Sequence, residues 1–97
     1  MKHFVIEVTY TAPLATIEHS LAAHRAFLQT GYDAQRLLMS GPQNPRIGGL
    51  IIARGESLEE VQAFFARDPF QTGKIATYRF IEFAPVKFAP CVTSWIS

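Results

Sequence analysis

Ninety-seven residues with a formal net charge of +1 suffice for one domain, and so even a balance gives no electrostatic case for nucleic acid or an anionic membrane surface as partner. Of the chain 48% is hydrophobic and only 18% charged, below the roughly 25% charged fraction usual in soluble domains; so small a body has little interior to hide that excess, and a second copy of the chain is the simplest cover for it, a homodimer. One cysteine, Cys91, excludes an intrachain disulfide and fits a reducing cytoplasm, no apolar run reaches bilayer length, and the N-terminus enters a strand pattern without a signal peptide.

Phe4, Ile6, Val8 and Tyr10 alternate with Val5, Glu7 and Thr9, which predicts a first strand over about residues 2 to 10. Thr11-Ala12-Pro13 breaks it and leads into a helix, with Thr16 or Thr11 available as a cap. That helix is expected to run to about Thr30 and stop near Gly31. Gln35 to Ser40 reads as a short second strand, ended by Gly41-Pro42 and the loop Gln43-Asn44-Pro45. Ile47 to Arg54 reads as a third strand, and its run Leu50-Ile51-Ile52-Ala53 is apolar on both faces. Ser57 with Glu60 forms a capping box at the start of a second helix, whose apolar side is Leu58, Val61, Phe64 and Phe65. Asp68-Pro69 ends that helix, and Phe70 to Ala76 is a short connection containing Gly73. Alternation returns in Tyr78, Phe80, Glu82 and Ala84, a fourth strand, followed from about residue 86 by a tail.

Strand, helix, strand, strand, helix, strand with right-handed crossovers gives an α+β, ferredoxin-like subunit: a four-stranded antiparallel sheet with both helices on one face. The other face carries apolar side chains and needs a cover. Two sheets packed face to face supply it, which is the physical argument for a dimeric α+β barrel.

Two landmarks carry chemistry. Ile17, Leu21, His24 and Leu28 share one helix face, so one imidazole sits on the stripe that meets the core. It is either a satisfied core histidine or an acid–base group. Asp68, read at a helix C-terminus, faces the negative end of the helix dipole, where a cation is preferred. Its alternatives are a cap on a turn amide, an ion pair with Arg67 in solvent, or a partner for an imidazole. Metal binding has no support: His19 and His24 lie about 140° apart around the helix, and neither a Cys pair nor a His-Glu-x-x-His run occurs. Gly48-Gly49 and Gly73-Lys74 extend into no nucleotide-binding motif. No cofactor is therefore expected.

His24-Arg25-Ala26-Phe27-Leu28, Ser40-Gly41-Pro42, Gly48-Gly49, Asp68-Pro69-Phe70 with Gly73, and Glu82-Phe83-Ala84-Pro85-Val86, in this order and spacing over about residues 2 to 90, resemble the YciI-like (YCII-related) family. The resemblance implies a dimeric α+β barrel related in fold to muconolactone isomerase, with His24 and Asp68 as the active-site pair. Many members carry a basic residue three before the histidine, where this chain has Leu21. Dehydrochlorination of a chlorinated hydroquinone is an activity found among family relatives. The resulting expectation is a small cofactor-free enzyme of the isomerase or lyase type, acting on a cyclic or carbonyl-bearing organic molecule. His24 would serve as acid or base, Asp68 would orient it, and Arg25, Ser40, Gly41, Pro42 and Phe70 would contact the substrate. The competing expectation is a non-catalytic dimeric module that binds a small ligand.

Overall fold

The computed structural model describes residues 1–97. The first alternating segment is β1 (Lys2–Tyr10), which lies inside a sheet of order β2-β3-β1-β4, with β2 spanning Leu37–Pro42, β3 Gly48–Gly55 and β4 Ala76–Phe83. Every neighbouring pair is antiparallel, and the order is that of a ferredoxin-like subunit. Phe4, Ile6 and Val8 of β1 face the helices and are wholly enclosed, with Ile51 and Ala53 of β3 beside them. Successive side chains of a strand point to opposite faces, so Val5, Ile52 and Ile81, which meet in register, form a row on the other face, extended by Met39 of β2. Met39 is 58% exposed and Leu50 42%. Within the subunit, then, β3 is buried on its helix side alone, where the apolar run suggested both.

The helical layer is more broken than its periodicity suggests. The first helix is two, α1 (Leu14–His19) and α2 (Leu21–Asp33), hinged at Ser20, whose φ −98°, ψ 1° fall in the bridge region. Ile17, His24 and Leu28 nonetheless share the buried face. Neither Thr11 nor Thr16 caps α1; Pro13 holds the N-cap position and no side chain supplies a bond there. Gly31 does not end α2. It lies inside the helix, where a Cβ would come within 2.8 Å of Leu37 and 3.0 Å of Phe64, so its role is close packing. The stop is Gln35, at φ 59°: its amide donates to Tyr32 O at 2.9 Å and the Arg36 amide to Gly31 O at 2.8 Å. These are the two bonds of a Schellman closure, made here without glycine. β2 accordingly starts at Leu37 instead of Gln35, and Gly41-Pro42 ends within it at the sheet edge, where a missing amide is tolerated.

Ser57 caps α3 (Leu58–Phe65) as its sequence motif suggests, its Oγ accepting from the Glu60 amide at 3.1 Å. Asp68 is not at the C-terminus of that helix. α3 ends at Phe65, and Asp68 is the N-cap of a further turn, α4 (Pro69–Thr72), with Pro69 at its first position. An anion is favoured there, so the dipole penalty inferred from the sequence does not apply. α4 closes as α2 does, with Lys74 at φ 55°, its amide on Gln71 O and the Ile75 amide on Phe70 O, both at 3.0 Å. Gly73 stays in helical geometry.

The tail is structured. A short 3-10 turn, Pro90–Val92, leads into α5 (Thr93–Ile96). Trp95 is buried, its ring 4.1 Å from the Arg54 guanidinium and its carbonyl accepting from Arg54 Nη1 at 2.9 Å, with the His3 ring 6.4 Å away. His3 and Arg54 are register partners, so α5 closes one end of the face that the helices leave free. No helix is long and apolar enough to cross a membrane.

Candidate active site

His24 arrives on the buried face of α2 and Asp68 on the loop between α3 and α4. His24 Nδ1 and Asp68 Oδ1 are 2.8 Å apart, within hydrogen-bond range. Asp68 is 0% exposed, and two more donors converge on it: the Phe70 amide reaches Oδ1 at 3.0 Å and the Tyr78 hydroxyl Oδ2 at 2.5 Å. An ionised carboxylate accepts and never donates, so this partnership assigns the proton of the neutral imidazole to Nδ1 and leaves Nε2 as a lone-pair acceptor. Burial, reinforced by the negative charge and hydrogen bond of Asp68, pushes the Tyr78 hydroxyl far above its ordinary value near 10, so the phenol remains a donor throughout the neutral range. Phe70 fixes the plane of the imidazole. The two rings stack at 3.9 Å with 4° between planes, and Tyr10 meets Phe70 edge-on at 6.1 Å.

The His24 ring lines a cavity of about 280 Å³ between α2, the β2–β3 edge, the end of β1 and Phe70. Its wall mixes apolar side chains with His24, Arg25, Ser40 and Arg46. No group of three His, Cys, Asp or Glu side chains converges to hold a metal ion.

The YCII-related domain model matches residues 1–84. The chain belongs to that family. No curated protein sequence matches this YCII-related chain. Among solved structures, it is similar to the 5-chloro-2-hydroxyhydroquinone dehydrochlorinase of Burkholderia phenoliruptrix AC1100, determined in complex with 2,5-dihydroxybenzoquinone. The identity is 22%, the match covers 90% of this chain and 93% of that one, and the TM-score is 0.67, a likeness of fold.

Of the residues singled out in the sequence, His24, Arg25, Ser40, Gly41, Pro42 and Phe70 of this YCII-related domain all line the one cavity, and Asp68 stands behind His24. Ser40 is tied to α2 by a 2.6 Å bond between its Oγ and the Tyr32 hydroxyl. The segment after Asp68, α4, packs against α2 and brings Phe70 onto the His24 ring. Two contributors were not assigned to the site from the sequence, where Tyr78 could line a pocket but reads first as a core or interface aromatic. Tyr78 carried a signal only in its inward register on β4, and its bond to Asp68 depends on β4 lying next to β1. Arg46 follows Asn44-Pro45 in an aperiodic loop and carried no signal at all.

Proposed function

We propose that this protein is a small cofactor-free acid–base enzyme acting on a cyclic or carbonyl-bearing organic molecule, by isomerisation or by elimination of the dehydrochlorinase type. The observation that carries the reading is the His24–Asp68 pair at 2.8 Å with the imidazole on a cavity wall. His24 Nε2 takes a proton from an acidified C–H of the substrate. Asp68, a positioning residue, holds the ring and stabilises the imidazolium that forms. In isomerisation the proton returns at another carbon. In elimination the C–H electron pair becomes a double bond while the leaving group departs with its own pair. The dehydrochlorinase named above acts by elimination, as its name states, which favours that branch.

The same proposal includes a homodimer joined through the sheet face that bears Met39, Ile52, Val5 and Ile81, and residence in a reducing cytoplasm, consistent with the free Cys91. The test is a thermal-shift screen of small acids, phenols, quinones and lactones, the chlorinated hydroxyhydroquinone among them. Turnover of the hits is then followed by chloride release and by absorbance. Turnover lost in His24→Ala supports the enzyme; binding without turnover, unaffected by His24→Ala, makes the protein a ligand-binding module.

A further inference from the structure

Two arginines border the cavity, Arg25 from α2 and Arg46 from the β2–β3 loop, and no aspartate or glutamate lines it. The nearest carboxylates stand outside the lining, Glu18 against Arg46 and Asp68 behind His24. The residues on either side of Arg46 are held at their backbone: the Ile47 amide donates to Pro45 O and the Tyr10 amide to Ile47 O, each at 2.9 Å. The Arg46 side chain is less well provided for. Nη1 reaches Glu18 at 3.3 Å, in a pair whose side chains are 32% and 56% exposed, and Nε is enclosed with no acceptor. A shielded guanidinium N–H without an acceptor is unfavourable, and the exposed contact to Glu18 is a weak competitor for an incoming anion. Leu28, Ile51 and Phe70 give the cavity an apolar stretch of wall beside His24 and Ser40.

We propose that the site takes a small amphiphilic anion: a single ring against the apolar wall, bearing a carboxylate that Arg46 binds, with Arg25 at the mouth. This rests on the reading of the cavity as a substrate site and names the substrate class. Size agrees, since a cavity of ~150 Å³ holds a benzene ring and this one, at about 280 Å³, admits a ring with substituents. Guanidinium favours a carboxylate through paired N–H donors, and Arg46, on the cavity wall with only the exposed Glu18 as its partner, is the side chain that offers them to the ligand. Arg46 is then a specificity-determining residue: it selects the charged substrate and leaves the proton transfer to His24.

The test compares 2,5-dihydroxybenzoate with its neutral counterpart 2,5-dihydroxybenzamide, titrated into the full chain at pH 7 with heteronuclear NMR as readout. The acid is expected to bind at least tenfold more tightly than the amide. Arg46→Gln should reduce that preference to threefold or less with the amide affinity unchanged, and His24→Ala should leave the preference intact. Equal affinities, no binding of either compound, or a preference that survives Arg46→Gln overturns the proposal. Should Arg46→Gln not fold, Arg46→Lys carries the comparison: a preference reduced at least threefold supports the assignment and an unchanged one overturns it. Preference for the acid without turnover of any compound sinks the enzymatic reading alone.

Discussion

Asp68 holds the site together, and replacing it in two ways separates its charge from its hydrogen bonds. In Asp68→Asn the retained oxygen still accepts from His24 and the Phe70 amide. The new NH2 takes the place of Oδ2, 2.5 Å from the Tyr78 hydroxyl, which turns to accept. Three charge-assisted bonds become neutral ones, each weaker by about 1 kcal/mol, and the lifted desolvation of a fully buried anion offsets part of the loss. A net cost of about 1–2 kcal/mol follows, and at about 4–8 °C per kcal/mol for a domain of this size the melting temperature falls by roughly 4–16 °C. Asp68→Ala also removes the α4 cap and leaves the Phe70 amide, the Tyr78 hydroxyl and His24 Nδ1 without a partner. That is the breaking of a buried pair, at about 3–5 kcal/mol. Urea denaturation followed by circular dichroism gives the energies, and long-range ¹H–¹⁵N spectra give the His24 tautomer: protonated at Nδ1 in the parent and in Asp68→Asn, redistributed in Asp68→Ala. Both variants within 0.5 kcal/mol of the parent, or an Nε2-protonated imidazole in the parent, would refute the reasoning.

Gly48→Ala places a Cβ 1.8 Å from the Val8 carbonyl oxygen, backbone that cannot yield without parting β1 from β3; a loss above about 4 kcal/mol is expected, and an unchanged urea midpoint would contradict it. The docked tail makes stability pH-dependent: burial, then the N-terminal charge and Arg54, lower the His3 pKa below 6.5, with the Ile96 backbone opposing in part. The neutral ring is favoured in the folded state, so its contribution is complete above 6.5 and is lost as pH falls from there toward the folded value. Melting temperatures between pH 7.5 and 5 should therefore fall more steeply in the parent than in His3→Gln, and parallel curves would remove His3 from the account. Ile52→Glu, a charge in the middle of the free sheet face, should convert a dimer to monomer in light scattering; a parent that is monomeric at micromolar concentration rules out the sheet-face dimer.

Strand alternation and helix periodicity carried the element order and the core face, because Phe4, Ile6 and Val8, or Ile17, His24 and Leu28, announce burial by spacing alone. The reading failed where tertiary contact decides. Gly31 looks like a helix stop, yet what makes it glycine is Leu37 and Phe64 across the interface. Gln35 and Lys74 end helices in a conformation that their residue types rarely adopt. Asp68 could be read as an end or a beginning, and only α4, a single turn too short for periodicity, shows it to be a beginning. Residues 93 to 96 form too short a segment to announce a helix, and it takes its place from Trp95 packing on Arg54. At the site, the residues named from the sequence belonged to a helix face, a strand end or the Asp68-Pro69-Phe70 segment. The two not assigned to it, Tyr78 and Arg46, reach it through strand order and loop path, which no local pattern encodes.

Deuterium incorporation from D2O into a compound that the protein turns over measures the proposed proton transfer itself. With the parent, deuterium is expected at the carbon that loses or regains the proton in isomerisation, or in recovered substrate where elimination is reversible. In His24→Ala the rate should fall by about 10²–10⁴, the range that general acid–base groups supply, while the compound still binds. Incorporation at the parent rate in His24→Ala would contradict the assignment of His24 as the base.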